Sequence, residues 1–192
     1  VNKSTISRCF VDIIQSGLGL DITDPDISPT PDRIADMYTD ELFAGVGKEF
    51  DDFALSPNVH NYNQIVMSDC ITFSSMCAHH FLPFQGQAWV AYLPSENLIG
   101  LSKMSRIVSH YAARPQLQEN LTHEVINNFV QGLKPRGAMV VLRCTHACMS
   151  CRGARQNSGS GMITSAINGE FLTDPDLKIE TIMLILMSLL IK

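Results

Sequence analysis

The stretch SSMCAHHFLPF, residues 74–84, sets one cysteine and two histidines within four positions. Cys77 and His80 are separated by two residues, with His79 between them, and a thiolate with an imidazole is a ligand pair that zinc prefers. On either side, QIVMSDCITF (64–73) and GQAWVAYL (86–93) read as strands and predict a hairpin. Further ligands stand in AMVVLRCTHAC (138–148), a β-rich run where alternation puts Cys144, His146 and Cys148 on one face if the strand runs that far. Cys151 follows Cys148 at another two-residue spacing. Two sites are open at this point. In one, Cys77, His80, Cys148 and Cys151 close a tetrahedral structural zinc site. In the other, only three of them bind and a water takes the fourth position. The Cys-x-x-Cys spacing favours the first. His79 and His146 favour the second, because a structural site has no use for them and hydrolytic chemistry needs proton donors and acceptors nearby.

The rest of the composition narrows the class. A length of 192 residues, 45% hydrophobic and 17% charged, suits one globular domain with a real core. A formal net charge of -5 argues against a protein that binds nucleic acid by neutralising phosphates. The opening VNKSTISRCF is polar and mixed and has no signal-peptide pattern. The tail TIMLILMSLLI (181–191) is apolar but shorter than the roughly 20 residues of a membrane span, and it predicts a buried or oligomer-facing helix. Six cysteines clustered with histidines, rather than spread as a disulfide framework, point to metal chemistry in the reducing cytoplasm.

Periodicity places the remaining elements. Ile6, Phe10, Ile13, Ile14 and Leu18 lie at helical spacing. DITDPDISPTPDR (21–33) is a connection ending in a helix start, with Thr30 as N-cap and Pro31 at the first helical position. These give an N-terminal helix and connection over 1–29 and the main domain over 30–192. Residues 45–63 read as an irregular loop, and SKMSRIVSHYAA (102–113) as a short helix. A second helix starts near Pro115, carries Leu117, Leu121, Val125, Phe129 and Leu133 on one stripe, and ends at KPRG (134–137). Helices, a hairpin, two helices and a strand make an α+β order.

LIGLSKMSRIV (98–108) groups Ser102, Lys103 and Arg106 around one helical turn, and SCRGARQ adds Arg152 and Arg155 after the second cysteine cluster. Such a group suits phosphate oxygens, and equally suits a solvated basic face. In RPQLQENLT (114–122), Glu119 near a helix start is either a dipole partner or an acceptor for the two N–H groups of a guanine edge.

Together MCAHHFLPFQGQAWVAYLP (76–94), IGLSKMSRIV (99–108), RPQLQENLT and THACMSCRG (145–153) resemble GTP cyclohydrolase I, in that family's order. The resemblance runs from TPDRIADMYTDELFAGV (30–46) to ITSAINGEF (163–171), most of the chain. It implies the tunnelling fold, antiparallel strands backed by helices and closed into a barrel by oligomerisation, usually as a homodecamer with active sites between subunits. It implies zinc held by Cys77, His80 and Cys148, without Cys151, and hydrolysis of GTP to 7,8-dihydroneopterin triphosphate and formate, a step that feeds folate, pterin or 7-deazaguanine synthesis. His79 and His146 would be the catalytic proton carriers. Glu119 would read the guanine edge with Gln118 lining the same pocket, Ser102 would face the ribose, and Lys103, Arg106 and Arg152 would hold the triphosphate.

The family reads Cys-Glu-His-His where this chain has Ala78 in place of the glutamate, and the apolar tail after Asp176 also departs from its pattern. A carboxylate at that position could orient the neighbouring imidazoles. Besides the enzyme, Ala78 therefore leaves a GTP-binding paralogue with impaired turnover, or a variant of altered output.

Overall fold

The structure, a computed structural model, describes residues 1–157 and 161–190. The chain divides into two compact units, residues 1–48 and 49–192.

The first unit is a helical pair. Helix α1 (Lys3–Asp12) starts where the Asn2 side chain accepts a hydrogen bond from the Thr5 amide, and it runs on as a π-helical turn through Gly17. Helix α2 (Thr30–Asp36) continues the same way through Leu42. Thr30 is itself the first helical residue and makes no capping hydrogen bond, because Pro29 takes the N-cap position; this corrects the cap expected from the sequence. Phe10 meets Tyr38 edge-on at 5.8 Å, and Tyr38 meets Phe43 at 4.8 Å. Ser7 donates to Asp32 at 2.7 Å, and Lys3 pairs with Asp36.

The second unit is built on a sheet. Strand β1 (Leu55–Pro57) lies within the predicted loop and pairs with β5 (Asn97–Ile99). Strands β2 (Val66–Met67) and β3 (Ile71–Cys77) replace the single strand expected over 64–73. Both pair with β4 (Pro83–Leu93), but Met67 faces Ala91 while Ile71 faces Ala88. Four steps on one side thus match three on the other, a bulge. Ser68 sits in it, and its hydroxyl accepts from the Val90 amide at 3.1 Å. Strand β4 pairs next with β7 (Gly137–His146), and β7 with β8 (Met162–Gly169), all antiparallel. The short β6 (Pro115–Gln116) joins β3 in parallel at the far edge.

Helices α3 (Leu101–Ala112) and α4 (Gln118–Leu133) cover one face. Helix α4 starts three residues after Pro115, since Pro115 and Gln116 are committed to β6. Leu121, Val125, Phe129 and Leu133 are all buried against Val90, Tyr92, Val140 and Leu142. A buried side chain of this kind contributes roughly 1.5–3 kcal/mol. Lys134, in the left-handed region at φ 54°, ends α4 and turns the chain into β7.

The second face of the sheet is divided. Trp89, Ala91, Leu93 and Met139 are buried there beside Phe171 and Leu177. Over them lies the tail, helix α6 (Pro175–Leu190), with Thr181 and Ile185 buried and Ser188 accepting from the Trp89 indole N–H at 3.1 Å. Its other side exposes Ile182, Met183, Leu186 and Met187; the last tail position expected to be helical, 191, lies outside the described residues. Among the described residues, no helix is long and apolar enough to cross a membrane.

Candidate active site

Cys77 is the last residue of β3, and the chain turns immediately after it. The Phe81 amide donates to the Cys77 carbonyl at 2.8 Å, and the Cys77 amide donates to the Leu82 carbonyl at 2.9 Å. Phe81 holds φ 51°, a left-handed conformation that costs a non-glycine residue about 1–2 kcal/mol. The Ala78 amide donates to the Gln116 carbonyl of β6 at 3.0 Å, which ties the turn to the sheet edge. His79 and His80 are both exposed on this turn, with ring centroids 6.2 Å apart and planes nearly perpendicular.

Cys148 arrives from the other end of the site by a different route. Strand β7 stops at His146, and a short helix α5 (Ala147–Ser150) carries Cys148. The alternation expected to run through Cys144, His146 and Cys148 therefore fails beyond His146. Cys144 instead points into the core, 1% exposed. Burial pushes its thiol up to about 12, so it is a neutral packing group at physiological pH.

The ligating atoms of Cys77, His80 and Cys148 all lie within 4.8 Å of one another, a group able to hold one metal ion. The Cys77 sulfur is 3.9 Å from His80 Nδ1. Burial, and then the neighbouring Cys77 sulfur, push the Cys148 thiol up, while Arg152 draws it down. Two thiolates brought this close repel, and a divalent cation between them reverses that penalty. Two sulfurs and an imidazole nitrogen are a donor set that suits zinc. Cys151 stands outside the group: it is exposed, and its thiol donates to the Ala147 carbonyl at 2.8 Å.

His146 is half-buried at the end of β7, where Phe84 lies opposite it in register and stacks on it at 4.8 Å with 12° between planes. Its Nε2 is 2.9 Å from Gln118 Oε1. Burial lowers the His146 pKa below the ordinary imidazole value, and nearby Glu119 partly opposes this. Gln118 and Glu119 open α4, so the β7 end and the α4 start meet here. A cavity of about 190 Å³ lies beside His146, between Pro83, Gln85 and Ser150. A larger groove of about 620 Å³ lies on the polar half of the sheet's second face, at Thr72, Gln87 and Arg143; Cys77, His80, Cys148 and His146 take no part in it.

Ser102, Lys103 and Arg106 share the first two turns of α3. Asp52 grips both cations: one carboxylate oxygen pairs with Lys103, and the other accepts from Arg106 at 2.8 Å. Those two cations hold the exposed Asp52 carboxyl below its ordinary pKa. Among the described residues, no hydrogen bond or ion pair joins this group to the cysteines or to His146. Sequence reasoning missed Asp52 and Phe84. Nothing in the local pattern marks Asp52, and Phe84 is set against His146 only by the register of β4 and β7.

Fold and site together define an α+β protein with a Cys2His group suited to a metal ion. The sequence matches the family described as GTP cyclohydrolase I over residues 6–186. GTP cyclohydrolase 1 of Rhodopirellula baltica (strain DSM 10527 / NCIMB 13988 / SH1) is 46% identical over 165 residues, covering 84% of this chain and 71% of that protein. That of Thermoanaerobacter pseudethanolicus (strain ATCC 33223 / 39E) is 39% identical over 186 residues, covering 96% and 97%. The chain belongs to the GTP cyclohydrolase I family. Its curled antiparallel sheet backed by helices is the subunit architecture of the tunnelling fold.

Proposed function

We propose that this chain is a zinc-dependent GTP cyclohydrolase I that converts GTP and water to 7,8-dihydroneopterin triphosphate and formate in the cytoplasm. The observation that carries the reading is the convergence of Cys77, His80 and Cys148 within 4.8 Å, in a chain of this family. Cys77, His80 and Cys148 would hold the zinc, which when bound supplies a Lewis acid and an activated water for attack at purine C8. His79 gives a proton to N7 as C8 is attacked, and His146 moves protons at the reacting water. The lowered pKa of His146 keeps its ring neutral at physiological pH, able to accept. Glu119 accepts the two N–H groups of the guanine edge, with Gln118 beside it, and Ser102 faces the ribose.

Lys103, Arg106 and Arg152 hold the triphosphate. The carboxylate of Asp52 already bridges two of these cations, which supports a binding point for anionic oxygens there. The cavity at His146 is smaller than the roughly 300–1,000 Å³ of ordinary small-molecule sites. This supports a homo-oligomer, in the family's manner a decamer, in which a neighbouring subunit completes each site.

Ala78 is exposed, and only its backbone holds the turn. The scaffold of the ligands thus does not depend on a glutamate at 78, which favours a working enzyme over a binding paralogue. The test is to incubate zinc-loaded protein with GTP and follow formate and dihydroneopterin triphosphate by mass spectrometry. Equal amounts of both, abolished by His79→Ala and by Cys148→Ala, are expected. Bound zinc and bound GTP with neither product would establish the paralogue instead.

A further inference from the structure

Gln118 is 2% exposed, yet it carries four hydrogen-bonding positions on its amide. Its Nε2 lies 3.3 Å from the Leu142 carbonyl of β7 and 3.1 Å from the Met162 carbonyl of β8. Thr164 Oγ1 is 3.0 Å from the same nitrogen. A hydroxyl can donate or accept and does not discriminate, but two backbone carbonyls can only accept. The NH2 end of the amide must therefore face β7 and β8, since the flipped amide would set its oxygen against two others. That leaves Oε1 toward His146 Nε2 at 2.9 Å, and an amide oxygen can only accept.

From this geometry we infer that Gln118 is a positioning residue that fixes the tautomer of His146. The proton resides on Nε2, and Nε2 keeps it whether the ring is neutral or charged. Nδ1 is then the bare nitrogen of the neutral ring, and it makes no hydrogen bond among the described residues. The stacked Phe84 ring fixes the imidazole plane, so tautomer and orientation are both set before substrate arrives. A backbone clip thus specifies a catalytic atom: the carbonyls of two strands orient an amide, and the amide orients an imidazole. A merely pocket-lining glutamine would act on substrate affinity, whereas this one acts on turnover. The kinetic part of the inference rests on the reading of His146 as a proton carrier; the tautomer itself does not.

The test uses zinc-loaded protein labelled with 15N at histidine, with the His146 signals assigned by their loss in His146→Ala. The expected wild-type spectrum shows a pyrrole-type Nε2 and a pyridine-type Nδ1. In Gln118→Met that pattern is lost, kcat for GTP falls about 100-fold, and KM stays within about threefold. An Nδ1–H tautomer in the wild type overturns the inference on its own, whether or not a variant folds. So does an unchanged pattern in Gln118→Met, or a raised KM with unchanged kcat. If the wild type makes no product from GTP, the proposed function falls, and the spectrum still decides the Gln118–His146 arrangement.

Discussion

Gly86 stands opposite Cys144 in the pairing of β4 with β7, and a Cβ added there would overlap the Arg143 carbonyl oxygen. The same atom would sit 2.7 Å from Cys144 Sγ and 2.8 Å from Cys144 Cα. Two of these three neighbours are backbone, and β7 is hydrogen-bonded on both sides, by β4 and by β8. The strand has no room to yield, so Gly86→Ala belongs at the upper end of overpacking costs, about 3 kcal/mol. For a chain of this size each kcal/mol lowers Tm by about 2–4 °C, which sets the expected loss at about 6–12 °C. The damage should reach the site, because the Phe84–His146 stack is the next pair but one along the same ladder. Melting is measured by calorimetry at one fixed protein concentration, since any self-association would shift the apparent stability. Gly100→Ala is the control: the nearest atom to its added Cβ is the Ala54 carbonyl oxygen at 3.6 Å, and its Tm should stay close to wild type. A Gly86→Ala protein melting within about 2 °C of wild type would refute the reasoning.

Four other outcomes are expected. The Cys144 thiol, held up to about 12 by burial, loses its proton from the unfolded chain first as pH rises past about 9. Stability present below that pH should decline by about 4 kcal/mol toward pH 12, and Cys144→Ala should flatten the alkaline fall in Tm; an equally steep fall would remove Cys144 as its cause. Asp52→Asn frees Lys103 and Arg106, so KM for GTP should drop about threefold or more with kcat unchanged, and an unaltered KM would separate Asp52 from triphosphate binding. Cys148→Ser should strip the metal, read by elemental analysis, whereas Cys151→Ser should leave the metal content at the wild-type level; the reverse pattern would put Cys151 in the site. Ala78→Glu should raise kcat/KM by about 10–100-fold without moving Tm, because the side chain at 78 is exposed, and a lower rate would show that the turn is tuned to alanine.

Much of the site was legible along the chain because its chemistry is written in near neighbours. Cys77 and His80 are joined by one tight turn, and Ser102, Lys103 and Arg106 by the period of one helix. The stripe of α4 was legible for the same reason, and so was the hairpin around the motif. The reading failed where one local pattern gave way to another. The extended run was carried through Cys148, but the β-ladder ends at His146 and the next four residues coil. Pro115 looked like a helix start, yet its neighbours were already engaged at a sheet edge. Strand β8 went unread, as its alternation is weak and its buried face is supplied by α4 and β7.

The sequence by itself determined the kinds of ligand, the α+β class and the family, since residue types and short spacings survive without three-dimensional context. Tertiary structure supplied the means by which the cysteines named by the family resemblance meet. Cys148 reaches Cys77 because β4 and β7 pair in a register that sets Phe84 against His146, and α5 then turns Cys148 inward. It also decided that Gln118 meets two carbonyls and His146, and that Asp52 meets Lys103 and Arg106. These partners lie 24 to 54 residues apart. Contacts at such separations are selected by the packing of whole elements, and no local run of side chains encodes them.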